Sequence, residues 1–234
     1  MAEQVPVNFE FRANQSFADF FPGENQDILE HLQQSVRGEG EQQIFIWGAK
    51  GLGKSHLLQA CCHYAYRLQR SAFYFAFAER DLPDPALLTD LEKFDTVCLD
   101  NIELIASVPV WELALFNFFN QHRGLGHQLI FSSTQAPQQL AIQLSDLRTR
   151  INWGLALKIK PLSDTDCIAA LIFKANQMGF DISPQAGRFL FTHYARDLPT
   201  LWELLAQLDR ASLAAKRKLT LPFLKQFLTQ MTHD

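Results

Sequence analysis

The run Gly48-Ala49-Lys50-Gly51-Leu52-Gly53-Lys54-Ser55 constrains this 234-residue chain more tightly than any other stretch of it. It satisfies the pattern G-x-x-x-x-G-K-[S/T] at every fixed position. Its flanks also suit it: Ile44-Phe45-Ile46-Trp47 reads as an apolar strand entering the loop, and a helix is predicted from Lys54 to about Gln69. Glycines at these places let the backbone turn so that successive N–H groups face inward. The helix beginning near Lys54 adds the positive end of its dipole. The result is a cradle for phosphate oxygens, so Ala49, Lys50, Gly51, Leu52, Gly53, Lys54, Ser55 and His56 are the expected nucleotide-binding residues. Lys54 is expected to reach the β-phosphate, and a γ-phosphate when one is present, while the Ser55 hydroxyl ligates Mg2+. A purine nucleotide is the expected cofactor.

A loop of this kind needs a parallel sheet behind it, and the sequence supplies one. Ala72 to Ala78, Thr96-Val97-Cys98-Leu99, Gln128-Leu129-Ile130-Phe131 and Leu155 to Ile159 are further short apolar runs. They alternate with helical patterns over Asp27 to Val36 and Val110 to Gln121. Unbroken apolar strands alternating with helices indicate an α/β domain whose sheet is covered on both faces. At Pro161 the pattern changes to helices alone. Ser163 is placed to cap one, with Asp166 as its capping-box acid; Ser183-Pro184, Pro199 and Pro222 open three more. Leu201, Leu204, Leu205, Leu208, Ala211 and Ala215 repeat with a 3.6-residue period. The expected organisation is therefore a tail over 1–14, a three-layer α/β nucleotide-binding domain with a parallel sheet over 15–161, and a small all-helical lid over 162–234.

Asp100 ends an apolar strand, where an acid that bridges to Mg2+ belongs in such a fold. The next position, where a hydrolytic enzyme carries a second acid, is Asn101, which cannot take up a proton. Glu103 is near in sequence, but its offset is expected to aim it elsewhere. Arg148 and Arg150 precede the last strand, and as residues alone they read as surface charges, with Asp146 available as a partner.

Composition narrows the function classes. The N-terminus lacks a basic region followed by an apolar run, and no stretch of about 18 apolar residues occurs, so a soluble, cytoplasmic chain is expected. Cys61, Cys62, Cys98 and Cys167 have no metal-ligand spacing and read as small buried hydrophobes in a reducing compartment. The net charge is −4, and the one dense basic run, Arg210 to Lys218, lies on a predicted helix whose solvated face accounts for it. Direct, sequence-specific DNA binding is not expected.

Taken together, the segments Ser16-Phe17-Ala18-Asp19-Phe20, the phosphate loop, Val97-Cys98-Leu99-Asp100-Asn101-Ile102, Leu129-Ile130-Phe131-Ser132-Ser133-Thr134, Leu147-Arg148-Thr149-Arg150-Ile151-Asn152-Trp153-Gly154 and Gln207-Leu208-Asp209-Arg210-Ala211-Ser212 resemble the DnaA/Hda family of AAA+ proteins. The likeness runs from about Gln15 to the C-terminus. Its last part, with Arg217-Lys218-Leu219-Thr220-Leu221-Pro222, is similar to the shorter, Hda-type branch, which lacks the helix-turn-helix DNA-binding domain into which DnaA continues. The resemblance implies a sensor-1 role for Thr134, and for Arg150 that of a trans-acting arginine finger offered to a nucleotide on a neighbouring subunit. It implies a purine-packing role for Phe20 and Phe21, beside the more ordinary reading of both as core aromatics. Gln4, Val5, Val7 and Phe9 resemble the tail motif by which Hda-type proteins bind the DNA sliding clamp. A regulator follows: with ADP or another nucleoside diphosphate and Mg2+ bound, it engages the clamp, promotes hydrolysis of DnaA-bound ATP and so represses re-initiation of chromosome replication. DnaA, the clamp and a second copy of the chain are the implied partners. An active ATPase of the helicase-loader type shares the fold and stands as the alternative. Two departures weigh against self-contained hydrolysis, namely Asn101 and Pro199, which occupies the place of the sensor-2 arginine; Arg196, three residues earlier, can substitute only if the backbone there is irregular.

Overall fold

An apolar strand flanked by turns can satisfy both of its faces only inside a covered sheet. The computed structural model, which describes residues 15–79 and 82–215 together with Pro222, Leu224, Phe227 and Leu228, contains such a sheet. Its strands are β1 (Gln43–Trp47), β2 (Ala72–Ala76), β3 (Thr96–Asp100), β4 (Gln128–Ser133) and β5 (Leu155–Lys158), in the order β2-β3-β4-β1-β5. Every neighbouring pair is parallel. β3 and β4 are buried at every position and β1 at all but Trp47, whereas edge strand β5 alternates.

The strand pleat sorts these apolar runs into two cores. Phe45, Val97, Leu99, Leu129 and Phe131 face one side, where Trp111, Leu115, Phe118 and Phe119 of helix α3 (Pro109–Gly124) cover them. Ile44, Ile46, Cys98 and Ile130 face the other, under helices α1 (Gln26–Arg37) and α2 (Lys54–Arg67). Cys61, Cys62, Cys98 and Cys167 are all buried and free, as their apolar settings predict. A short helix, α4 (Ser145–Ile151), precedes β5 and was not anticipated; Leu147 and Ile151, four residues apart, are its buried face. The run 72–78 ends as a strand at Ala76, although Phe77 N–H still reaches the Asp100 carbonyl at 3.0 Å.

The described residues cluster into two compact units that divide between Lys160 and Pro161. In the second, α5 (Asp164–Gln177), α6 (Pro184–His193) and α7 (Leu198–Ala215) enclose a core of their own around Leu171, Leu190, Leu201, Leu204, Leu205 and Leu208. Ser163 caps α5 through the Asp166 N–H, but the Asp166 carboxylate turns to the Ser163 hydroxyl and leaves the other half of the expected box unmade. Ser183 caps α6 as expected. Asp197 caps α7 by accepting from Thr200 N–H at 2.9 Å, which puts Pro199 in the first turn, where its missing N–H costs nothing. The expected last helix at Pro222 and the basic run beyond Ala215 fall largely outside the described residues. No helix among the described residues is long and apolar enough to cross a membrane.

His122, on α3, is a buried titratable group with only one satisfied nitrogen. It bonds the Phe94 carbonyl, while its Nε2 has no partner among the described residues. Burial, and then the nearby His127, hold its pKa down to about 4. An unfolded histidine titrates near 6.5, so between those values the unfolded chain binds more protons and stability falls as pH drops. From pH 6.5 to 5 the expected loss is about 2 kcal/mol. His122→Phe flattens that slope in urea titrations followed across the window.

Candidate functional site

The phosphate loop takes its shape from glycines where other residues are strained. Gly48, Gly51 and Gly53 have φ of 152°, 84° and 89°. Gly53 is also crowded: a Cβ there would lie 2.6 Å from Phe20 Cε2. Phe20 therefore rests directly on the loop, and its ring lies 5.4 Å from that of His56 in the first turn of α2. His56 Nε2 donates to the Ser16 carbonyl at 2.9 Å, and the Asn25 side chain ties Pro22 to Lys160 with bonds of 2.7 to 3.0 Å. These bonds hold the segment that carries Phe20 and the half-buried Phe21 against the loop. The structure thus brings together Phe20, Gly53 and His56 and leaves Ala49, Lys50 and Gly51 exposed on the rim.

Lys54 is only 6% exposed, and its ammonium donates to the Gly48 and Ala49 carbonyls at 2.8 and 2.9 Å. Burial pushes its pKa below the ordinary lysine value, and the carboxylates of Glu103 and then Asp100 oppose that push. A buried ammonium facing two acids and held by loop carbonyls has donors to offer an incoming phosphate at little cost in ordering.

Asp100 is fully buried, and its carboxylate is shared among three strands. Ser132 on β4 donates to one oxygen, and Tyr74 on β2 donates to the other at 2.9 Å. The Tyr74 hydroxyl also reaches Ser55 and Gln59. Burial, then the Asp100 charge, raise the Tyr74 pKa far above its ordinary value, so it stays a donor. Tyr74 thereby links the two expected Mg2+ ligands, Ser55 and Asp100. Sequence patterns give no hint of it. Among the described residues no group of three or more His, Cys, Asp or Glu could hold a metal by itself. One hydroxyl, one carboxylate and phosphate oxygens fit the way Mg2+ is held beside nucleotides, where it neutralises phosphate charge.

Asn101 takes a left-handed conformation, φ 61° and ψ 44°, which asparagine tolerates. Its side-chain amide donates to the Phe77 carbonyl at 3.2 Å. The turn it makes swings Glu103 back to the end of β4, elsewhere than the place of a second acid. Glu103 Oε1 accepts from both the backbone N–H and the hydroxyl of Thr134, at 3.0 and 2.8 Å. Thr134 therefore stands just past β4, with both of its donors engaged.

Arg150 lies elsewhere. It sits on α4, whose end is fastened to the start of β1 by a 2.9 Å bond from Gln43 Nε2 to the Ile151 carbonyl. Gly154 packs so tightly there that a Cβ would meet the Gln43 carbonyl oxygen at 2.5 Å. The phosphate loop follows the other end of β1, about 13 Å away at the usual rise per strand residue. The guanidinium lies over three rings, those of Phe116, Phe119 and Trp153, at 5.0, 5.6 and 5.4 Å. Arg123 lies 4.6 Å from the centre of the same Trp153 ring, which is 55% exposed. Asp146 pairs with neither Arg148 nor Arg150 among the described residues. A second residue missed in the sequence anchors this helix: buried Glu112 accepts from the N–H groups of Ser107, Gln143 and Leu144 at 2.7 to 3.1 Å. Gln4, Val5, Val7 and Phe9 lie outside the described residues. Arg196 is exposed and precedes the cap of α7, outside the helix.

Two family models match the chain: the bacterial DnaA ATPase domain over residues 11–158 and the Hda lid domain over residues 164–228. Among solved structures, domain III of the Thermotoga maritima replication initiation protein DnaA is 20% identical, with 90% of this chain and 93% of that one covered and a TM-score of 0.75. AMPPCP-bound DnaA from Aquifex aeolicus is 18% identical, with 85% and 65% covered and a TM-score of 0.72. The Thermotoga maritima RuvB Holliday junction branch migration motor is 19% identical, with 96% and 74% covered and a TM-score of 0.69. At such identities the likeness is one of fold, the AAA+ α/β fold.

Two substitutions test the phosphate end of the site. Lys54→Ala is expected to weaken nucleotide binding by about a hundredfold in calorimetry, since it deletes the main charge-assisted donor. Tyr74→Phe keeps the ring and loses the hydroxyl. It is expected to narrow the difference between affinities measured with Mg2+ and with EDTA.

Proposed function

Because this chain belongs to the bacterial DnaA ATPase-domain family of AAA+ proteins, with a lid of the Hda type, we propose that it is a nucleotide-binding regulator of replication initiation. In this reading it holds a nucleoside diphosphate, ADP foremost, with Mg2+ between Ser55, Asp100 and the phosphates. Its tail, through Gln4, Val5, Val7 and Phe9, docks on the DNA sliding clamp. Arg150 is then presented to ATP bound by DnaA, whose hydrolysis represses further initiation.

The single observation that carries this reading is the setting of Arg150. Its guanidinium is fixed on aromatic faces at the end of the sheet opposite its own loop, out of reach of any nucleotide bound there. Stacking on rings occupies the faces of the planar fork and leaves its in-plane N–H donors for oxygens of another molecule. The cage also removes much of the rotamer freedom that a finger would otherwise lose on docking. Asn101 supports the same division of labour: the chain can hold a nucleotide while lacking the adjacent acid that would activate water.

An arginine supplied in trans accelerates nucleotide hydrolysis by about 10³ to 10⁵ in well-studied systems. Arg150→Ala is therefore expected to retain nucleotide and clamp binding while losing stimulation of phosphate release from ATP-loaded DnaA, measured with clamp on DNA. Arg150→Lys recovers little, because an ammonium lacks the fork. Full stimulation by Arg150→Ala would overturn the finger assignment. Deleting residues 1 to 10 is expected to abolish clamp binding with the melting temperature nearly unchanged; clamp binding that survives the deletion would move that surface to the folded body.

A further inference from the structure

The turn at Asn101 delivers Glu103 to Thr134, just past the end of β4. The sensor-1 role that the resemblance implies for Thr134 is to offer its hydroxyl to a terminal phosphate. Here both donors of Thr134, the N–H and the hydroxyl, are already given to Glu103 Oε1. The other oxygen, Oε2, is buried and has no hydrogen-bond partner among the described residues. Thr134 directly follows Ser133, whose carbonyl accepts from the Gly48 N–H at 3.2 Å, so the carboxylate bonded to Thr134 lies at the loop end of the sheet.

We propose that Glu103 is the specificity-determining residue that makes this site accept a nucleoside diphosphate and disfavour a triphosphate. Two effects combine. A γ-phosphate brings about two negative charges beside a carboxylate that has no counter-donor on Oε2, in a setting where desolvation strengthens repulsion. It also finds the Thr134 donors occupied, so its own oxygens are left short of partners on leaving water. A diphosphate draws on the loop N–H groups, Lys54 and the Mg2+ ligands Ser55 and Asp100, whereas the hydrogen bonds of Glu103 go to Thr134. Glu103 is thus a binding determinant, distinct from the water-activating acid whose place Asn101 holds.

The inference rests on the diphosphate reading proposed above, and one set of titrations separates the two. Wild-type protein is titrated calorimetrically with ADP and with the non-hydrolysable triphosphate AMPPCP, both with Mg2+, and the titrations are repeated with Glu103→Gln. The amide keeps an acceptor for Thr134 and places a donor where Oε2 stood. The expected result is wild-type preference for ADP, and in the variant AMPPCP binding tighter by about tenfold or more with ADP affinity within about threefold. Glu103→Ala, which frees both Thr134 donors, is expected to move the ratio the same way. Wild type without a preference for ADP would refute the diphosphate reading and this inference with it. A wild-type preference that both variants leave intact, or a loss of AMPPCP affinity in them, would refute the role of Glu103 alone.

Discussion

A carboxylate buried without exposure is tolerable only if its lone pairs are met, and Asp100 meets them by drawing on two neighbouring strands. Ser132 from β4 and Tyr74 from β2 converge on it, while Ser132 Oγ also receives the Asn101 N–H at 3.2 Å. The three strand ends are thereby locked in register at the edge where the loop emerges. Tyr74 passes the lock on to Ser55 at the start of α2. Remove that one charge and four elements lose their common fixed point, which is why the phosphate end depends on Asp100 beyond any metal it holds.

What was legible in the sequence was whatever one segment states about itself. The loop, the apolar strands and the helix faces of α1, α3 and α7 are local patterns, and each was readable within a residue or two at most ends. Tyr74, Glu112 and Glu103 were not readable, because their roles depend on which residue of another element lies opposite. Tyr74 looks like one more aromatic in an apolar strand until the pairing of Ala76 with Asp100 puts its hydroxyl beside the acid. Glu112 looks like a solvated helix residue until three backbone donors from the segments before α3 and α4 arrive at it. The partner of Glu103 was hidden because Asn101 has a left-handed backbone, which turns the carboxylate to Thr134 on another strand's end. The short helix α4 escaped because two apolar residues in seven make no visible period.

Two distant sites sit on one sheet, and each is built on a different end of it. The phosphate loop uses the carboxyl ends of the strands, where parallel sheets open their crevices. Arg150 uses the opposite end, braced by Gln43 below and by Phe116 and Phe119 of α3 beside it. Glu112 and Phe116 are four residues apart on α3, so one helix both pins the entry to α4 and supplies part of the cage at its exit. That separation suits the proposed function, in which the domain receives one nucleotide and acts on another.

The contact between Phe20 and Gly53 bears on how this loop can change over generations. Any side chain at position 53 meets two independent objections, a left-handed φ and an aromatic ring already in the space a Cβ would fill. Trimming Phe20 answers the second and leaves the first untouched, while no neighbouring change answers the first. Suppressors of a loss at Gly53 are therefore confined to restoration of glycine itself. Phe20, by contrast, is held by packing, against Gly53, His56 and the core beneath α1 and α2. Of two residues that touch, one is fixed by backbone geometry and the other by its neighbours.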